Sequence, residues 1–157
     1  MIDFDLPEEK QYSARISRQR LMEIKSGVQK FVFVGRRYRN VNFTAAQLAQ
    51  NIGTNTRYLS AAIRLHYGCN FSELVNKLRV EEAKQIMLDP QNTLTMEDIS
   101  YSAGFSTRQS FYNAFSKFVG MKPKEWLAQE QEKKRAEEER QREQYKATAS
   151  FEGIAFE

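Results

Sequence analysis

The sequence is poor in cysteine and histidine, and it has no long hydrophobic run. Its 157 residues include one cysteine, Cys69, and one histidine, His66. A single cysteine excludes an internal disulfide, which agrees with a reducing cytoplasm, and it leaves no cysteine–histidine set for a zinc site. The longest apolar run, residues 31–34, is too short to span a bilayer, and the acidic amino terminus lacks the apolar segment of a signal peptide. We therefore expect a cytoplasmic protein without a membrane segment.

The groups on which catalysis depends are also missing from the sequence. Its seven glycines stand singly rather than in a phosphate-binding loop. Acidic pairs such as Glu81-Glu82 and Glu97-Asp98 lie on predicted helix surfaces, where salt bridges explain them. We predict that the chain is not an enzyme, and we expect no cofactor and no metal.

The best-defined pattern lies in residues 94–126, where a short turn separates two predicted helices. Thr95 and Asp98 can form a capping box, and Gly104 can end the first helix with a positive φ. Ser106 is the expected N-cap of the second helix. The inner row of that helix is Phe111, Ala114, Phe115 and Phe118, and its outer row is Arg108, Gln109, Tyr112, Asn113, Ser116 and Lys117. Such a helix after a glycine turn is typical of DNA recognition.

The same pattern occurs earlier in the chain. Five positions from Phe43 to Gly53 match those from Leu94 to Gly104 at an interval of 51 residues. After the glycine the interval is 52, which one extra residue in the second turn, assigned to Phe105, explains. A repeated set of cap, glycine and core positions indicates an internal duplication, so we predict two helix-turn-helix units in tandem.

Two segments carry a family resemblance. Residues 103–126, AGFSTRQSFYNAFSKFVGMKPKEW, resemble the signature of AraC/XylS-type transcriptional regulators, and residues 78–87, LRVEEAKQIM, resemble their linker helix. The resemblance implies two helix-turn-helix units joined by one long helix, both entering the DNA major groove. Many members carry a separate ligand-binding domain, for which the 42 residues before Phe43 are too few. A stand-alone DNA-binding form or a piece of a longer chain is therefore expected.

We predict an all-α fold in six segments. They are an amino-terminal tail (1–12), an amphipathic helix packed on the first unit (13–35), the first helix-turn-helix unit (36–69), a linker helix (70–90), the second unit (91–128) and a charged tail, helical or disordered (129–157). The linker helix is about 27 Å long at 1.5 Å per residue, and it can hold the two recognition helices about one DNA turn apart.

The charged tail has many pairs of opposite charge four residues apart but no apolar face. We therefore predict a solvated helix that frays into disorder. Near its end, Phe151, Ile154 and Phe156 alternate with acidic residues. This stretch is either an unstructured tail, which we favour, or a docking segment for a partner.

The net charge of +4 comes from the duplicated region. Residues 36–126 contain 12 Lys and Arg against 7 Asp and Glu, whereas residues 127–157 contain 6 against 8. The excess is compatible with nucleic-acid binding but is too small to prove it. Arg36, Arg37 and Arg39 form a basic cluster in the loop that follows the first predicted helix, for which phosphate contact and solvated loop charge are equally good explanations.

The outer faces of the two recognition helices supply the predicted DNA contacts. Base contacts are predicted for Arg57, Ser60, Ala61, Arg108, Gln109 and Asn113, and phosphate contacts for Arg64, Tyr112, Lys117 and Lys124. Arg108 and Gln109 are assigned by the resemblance, since they occupy positions that family members use near DNA. Ala61 and Tyr112 depart from the family, which often has a long polar residue at the first position and a small residue at the second.

The leading hypothesis is a sequence-specific DNA-binding transcriptional regulator that inserts two recognition helices into successive major grooves. We expect it to bind as a monomer on an asymmetric site, with RNA polymerase as a further partner. The alternative is a degenerate helix-turn-helix module that binds a protein and modulates a regulator, which Ala61 and the thin charge of the first recognition helix favour. A helical bundle with merely solvated faces would not explain the duplicated caps, and RNA binding would need an exposed aromatic platform.

Overall fold

The computed structural model describes the backbone of residues 16–155 and the side chains of residues 16–153. Within this range the chain is helical and has no β-strand, which confirms the predicted all-α fold. The predicted tail of residues 1–12, the predicted start of the first helix at Ser13, and the side chains of Ile154 and Phe156 lie outside the described part. None of the helices in the described part combines the length and the apolar content that a bilayer span requires.

Seven α-helices, two short helical turns and their connections make up the described chain. The α-helices are α1 Arg18–Val28, α2 Ala45–Ile52, α3 Thr56–Tyr67, α4 Phe71–Leu88, α5 Met96–Ser102, α6 Arg108–Val119 and α7 Pro123–Ala155. A π-helical segment, Gln29–Val34, continues α1, and a 3-10 turn, Arg37–Arg39, precedes α2. The chain divides into two compact units, residues 1–114 and residues 115–157.

Polar caps determine where the helices begin. Thr44 and Thr95 each cap a helix and form the predicted kind of capping box, with Gln47 and Asp98 as the returning side chains. Asn55 caps α3 and Asn70 caps α4 through their side-chain oxygens. Within the described residues α1 begins at Arg18, because the Ser17 side chain caps it by accepting a hydrogen bond from the backbone N–H of Arg20.

The predicted N-cap of α6 is wrong by one residue. The helix begins at Arg108, and the hydroxyl of Thr107, rather than that of Ser106, accepts the backbone N–H of Ser110 at 3.1 Å. The backbone N–H of Thr107 donates to Ser110 Oγ at 3.3 Å in return. This reciprocal pair fixes Thr107 as the cap, because the two hydroxyls stand three residues apart.

The unit of residues 1–114 has one continuous core at its amino-terminal end. Helix α1 packs on α2 and α3, and α4 packs on α3, α5 and the 3-10 turn. Ile24, Leu48, Leu59 and Ile63 are the largest side chains that this core buries completely. Cys69 is a buried free thiol in the same core. The buried inner row of α3 leaves the opposite face of that helix exposed.

The unit of residues 115–157 consists of the end of α6 and the long helix α7. Phe115 and Trp126 meet edge to face with ring centroids 5.7 Å apart, and Pro123 is the first residue of α7, where a proline suits a helix. The tail, predicted to be helical or disordered, is helical over the described residues: α7 is one helix of 33 residues, so the predicted fraying and the favoured unstructured end are wrong there. Its side chains are all exposed from residue 131 to residue 153.

Local interactions explain why α7 persists without an apolar face. Ion pairs join residues three positions apart, as in Glu130–Lys133 at 2.8 Å and Glu137–Arg140 at 2.8 Å. The segment is also rich in Ala, Glu, Gln, Lys and Arg, which are strong helix formers. High helix propensity at nearly every position, together with these ion pairs, therefore stabilises α7 where no apolar face is buried.

Candidate nucleic-acid interface

The first helix-turn-helix unit consists of α2, a three-residue turn and α3. Gly53 ends α2 with φ +81°, and its backbone N–H donates to the carbonyl of Ala49 at 3.0 Å. The guanidinium of Arg20, on α1, donates to the carbonyl of Gly53. Sequence reasoning missed this contact, because Arg20 lies far from the turn along the chain. The backbone N–H and the carbonyl of Gly53 are thus both hydrogen-bonded, and these two contacts fix the orientation of α3 relative to α2.

Three of the four predicted contact residues of α3 lie on one exposed face. Arg57, Ser60 and Arg64 are exposed and recur at helical spacing. Ala61 differs, because its side chain is half-buried and packs against the hydrophobic core. Ala61 therefore offers only part of its methyl group to a ligand on this face.

The second predicted recognition helix, α6, carries two hydrogen-bonded pairs of polar side chains. Arg108 Nη2 donates to the hydroxyl of Tyr112 at 3.3 Å, and its guanidinium carbon lies 5.0 Å from the centroid of that ring. Gln109 Nε2 donates to Asn113 Oδ1 at 2.9 Å. These contacts span four residues, so each pair lies along the helix axis and the two pairs run side by side. The outer face of α6 thus presents a cation and two amides close to one another.

Tyr112 marks the edge of this outer face. Its ring is half-buried and meets Phe111 edge to face, with centroids 5.7 Å apart. Its hydroxyl accepts from Arg108, which also raises the pKa of that guanidinium. Phe111 is completely buried, whereas Arg108, Gln109 and Asn113 are exposed. The predicted division of α6 into an inner apolar row and an outer polar row is therefore present.

The remaining two predicted phosphate contacts lie in the unit of residues 115–157. Lys117 and Lys124 are both exposed. Lys117 Nζ lies 5.5 Å from the ring centroid of Phe118, on the same helix. Lys124 lies in the first turn of α7.

The basic cluster of Arg36, Arg37 and Arg39 has structural partners that the sequence did not reveal. Arg39 forms an ion pair with Glu82 of α4. The guanidinium carbon of Arg37 lies 4.8 Å from the ring centroid of Phe31. Arg36 has a left-handed backbone, with φ +50°, and is exposed. These contacts indicate that Arg37 and Arg39 stabilise the conformation of their own loop.

Comparison with known proteins places this arrangement in a family context. A family model described as "Helix-turn-helix domain" matches residues 48–129. The HTH-type transcriptional regulator GlxA of Rhizobium meliloti (strain 1021) is 29% identical over 76 residues, which cover 48% of this chain and 23% of that protein. The melibiose operon regulatory protein of Escherichia coli (strain K12) is 22% identical over 106 residues, which cover 68% of this chain and 34% of that protein. The matched part of this chain therefore spans 23% to 34% of the length of these relatives.

Solved structures share the fold. The C-terminal domain of AraT, a response regulator from Geobacillus stearothermophilus, matches with a TM-score of 0.60 and 23% identity over 73% of this chain and 88% of that one. The C-terminal domain of the two-component response regulator yesN from Fusobacterium nucleatum matches with a TM-score of 0.58 and 24% identity over 66% of this chain and 96% of that one.

Proposed function

The chain belongs to the AraC-type helix-turn-helix family, and from that premise we propose that it is a sequence-specific DNA-binding transcription regulator that places α3 and α6 in the major groove. One observation carries the proposal. A capped helix-turn-helix unit occurs twice, and each time a buried inner row turns a polar outer row of the second helix to solvent. Major grooves of B-DNA admit an α-helix, and such outer rows read base edges.

The proposed base contacts follow from the hydrogen-bonding groups on the two outer faces. Arg57 and Arg108 each suit guanine, whose O6 and N7 accept two hydrogen bonds from a guanidinium. Gln109 and Asn113 suit adenine, because an amide can donate to N7 and accept from N6. Ser60 can contact either kind of base, and the methyl group of Ala61 suits the methyl group of thymine. Gln109 and Asn113 lie next to each other on this face, with Gln109 Nε2 2.9 Å from Asn113 Oδ1, so both amides could meet neighbouring bases.

Phosphate contacts would set the register of the two helices on the duplex. We assign them to Arg64, to the hydroxyl of Tyr112, and to Lys117 and Lys124. The first two lie beside the proposed base-reading groups, and all three cations are exposed. Such contacts carry affinity rather than sequence information.

One chain should occupy one asymmetric site, because the two helix-turn-helix units share a structure but present different side chains. We expect two short DNA elements about one helical turn, roughly 34 Å, apart. The proposal also includes RNA polymerase as a protein partner and the cytoplasm as the location. No cofactor and no catalytic group enter it.

Binding to short duplexes, followed by fluorescence anisotropy, tests the proposal. The parent should bind a selected duplex, and Arg57→Ala should weaken that binding by about 1–3 kcal/mol and relax preference at one or two base pairs. Arg140→Ala is the matched control, since it removes the same charge from the exposed part of α7 and should bind like the parent. If Arg57→Ala weakens binding equally on all DNA sequences, Arg57 contacts a phosphate and not a base. Absence of any complex at low salt would favour the protein-binding alternative.

A further inference from the structure

The 3-10 turn Arg37–Arg39 is fastened to α4 by two side chains of that helix. Arg79 Nε donates to the carbonyl of Tyr38 at 2.7 Å, and Arg79 Nη2 donates to the carbonyl of Asn40 at 3.0 Å. Glu82 accepts from the hydroxyl of Tyr38 at 2.8 Å and forms the ion pair with Arg39. A planar guanidinium and a carboxylate, three residues apart on one helix face, thus bond to a single turn of the chain.

The second helix-turn-helix unit rests on the same turn. Gly104 has φ +104°, and a Cβ at this position would lie 2.2 Å from the carbonyl oxygen of Tyr38 and 3.0 Å from the carbonyl carbon of Arg39. Gly53 is its counterpart in the first unit, and a Cβ there would meet nothing within 4 Å. The close approach at Gly104 is therefore no requirement of a helix-turn-helix turn. It is a contact that only the second unit makes.

Aromatic contacts continue this path to the recognition helix. The guanidinium carbon of Arg79 lies 5.9 Å from the ring centroid of Phe105. The ring of Phe105 lies 5.4 Å from that of Phe111 on α6. Phe105, to which the sequence comparison assigns the extra residue of the second turn, is buried. A continuous series of contacts therefore runs from Tyr38 through Arg79 and Phe105 to the start of α6.

The polar groups in this path are partly removed from water. Burial lowers the pKa of the Arg79 guanidinium. Burial raises the pKa of the Glu82 carboxyl, but hydrogen bonds from Tyr38 and Arg39 and the positive charge of Arg39 more than offset this, so the net shift is downward. Partly buried, charge-assisted hydrogen bonds hold their geometry better than exposed ones, because water competes less for the groups.

We propose that these contacts form a brace, consisting of residues 37–40, Arg79, Glu82 and Gly104, which fixes α6 relative to α3 and so sets the spacing between DNA elements that the chain accepts. The inference rests on the proposed function, since only a chain that places both helices on one duplex has a spacing to read. Residues 37–40 precede the region that the family model matches. Without the brace, residues 89–95 and the packing of α5 on α4 would alone connect the two helix-turn-helix units, and a small rotation there would displace α6. Arg79 and Glu82 are therefore positioning residues.

Two variants of the full chain test the brace. Arg79→Lys keeps the charge but loses the planar pair of donors. Tyr38→Phe keeps the buried ring and removes only the hydroxyl that bonds to Glu82, so it serves if Arg79→Lys fails to fold. Glu81→Gln is the matched control, because it removes a carboxylate from the exposed side of the same helix, where its partner is Lys84.

The first measurement needs no DNA. In a Cys69→Ala background, spin labels at Leu65→Cys on α3 and Gln109→Cys on α6 report the distance between the recognition helices by pulsed electron resonance. The parent and Glu81→Gln should give one narrow distribution, and the brace variants should give a broader or shifted one. Distributions as narrow in both brace variants as in the parent would overturn the proposal.

The second measurement uses duplexes in which the spacer between the two selected elements is lengthened or shortened by one or two base pairs. The parent should lose about 100-fold or more in affinity off its optimum, because the two helices can no longer engage together. The brace variants should lose about tenfold or less. A uniform loss of affinity on every spacer would mean that Arg79 only stabilises the fold, and would overturn the proposal. A parent that binds no duplex would overturn the proposed function and the spacing role, while the label distances still decide whether the brace fixes the two helices.

Discussion

The two turn glycines offer an internal comparison of local strain with tertiary contact. Gly53 and Gly104 occupy the same place in the two units, and both have a positive φ, of 81° and 104°. Alanine at either position must adopt a left-handed backbone, which costs roughly 1–2 kcal/mol. The Cβ of Gly53→Ala would enter open space, whereas that of Gly104→Ala would lie 2.2 Å from the carbonyl oxygen of Tyr38.

The second cost applies to Gly104 alone. A Cβ at 2.2 Å from a backbone oxygen forces the turn and residues 38–39 apart, and overpacking of this kind costs about 1–3 kcal/mol. We therefore expect Gly53→Ala to lose about 1–2 kcal/mol of unfolding free energy and Gly104→Ala about 2–5 kcal/mol. The entropy that alanine removes from the unfolded chain is the same in both variants and cancels in the comparison.

Urea unfolding followed by far-UV circular dichroism measures the difference. The gap of about 1–3 kcal/mol corresponds to roughly 2–12 °C in melting temperature for a chain of this size. Equal destabilisation of the two variants would refute the reasoning, because it would mean that the second turn does not press on residues 38–39.

Four further outcomes are expected. Since the pKa of Glu82 lies below its ordinary value of 4.5, its carboxylate stabilises the fold above that pH and loses this effect as the pH falls through the folded pKa. Glu82→Gln should therefore flatten the acid limb of the curve of stability against pH, and an unchanged limb would contradict the shift. Phe115→Ala should lose about 3–5 kcal/mol of stability. Asn113→Ala should change the free energy of unfolding by no more than roughly 0.5 kcal/mol, yet it should bind its selected site about 1–3 kcal/mol more weakly. Binding as tight as that of the parent would show that α6 is not the helix that reads the bases. The logarithm of DNA affinity should fall with that of salt at a slope of about −4.5 to −7, if about five to eight phosphates are neutralised, and a flat line would indicate protein binding instead.

Much of the fold could be predicted because its signals are local. Thr44 and Thr95 cap helices whose returning partners stand three residues on, and the repeat of this pattern revealed both units. The outer row of α6 was predictable for the same reason, since Arg108, Gln109 and Asn113 lie within two turns of one helix. The choice of Thr107 over Ser106 as the cap depended on Ser110, a competition between adjacent hydroxyls that spacing alone did not resolve.

Tertiary contacts could not be predicted in this way. The basic cluster gave no sign that Arg39 would pair with Glu82, because nothing local relates a loop to a helix 43 residues later. The approach of Gly104 to Tyr38 is likewise a result of packing, and the glycine could be explained from the sequence by its φ alone. The half-burial of Ala61 depends on the core beneath α3 rather than on its own position in the outer row.

Selection of binding sites from random double-stranded DNA tests the central claim most directly. The purified parent chain is taken through rounds of binding and sequencing beside Arg57→Ala and Arg108→Ala. The account expects an asymmetric site bound by one chain, with two short elements about one helical turn apart, one of which Arg57→Ala relaxes and the other Arg108→Ala. A parent chain that enriches no sequence, or a palindromic site bound by two copies, would contradict it.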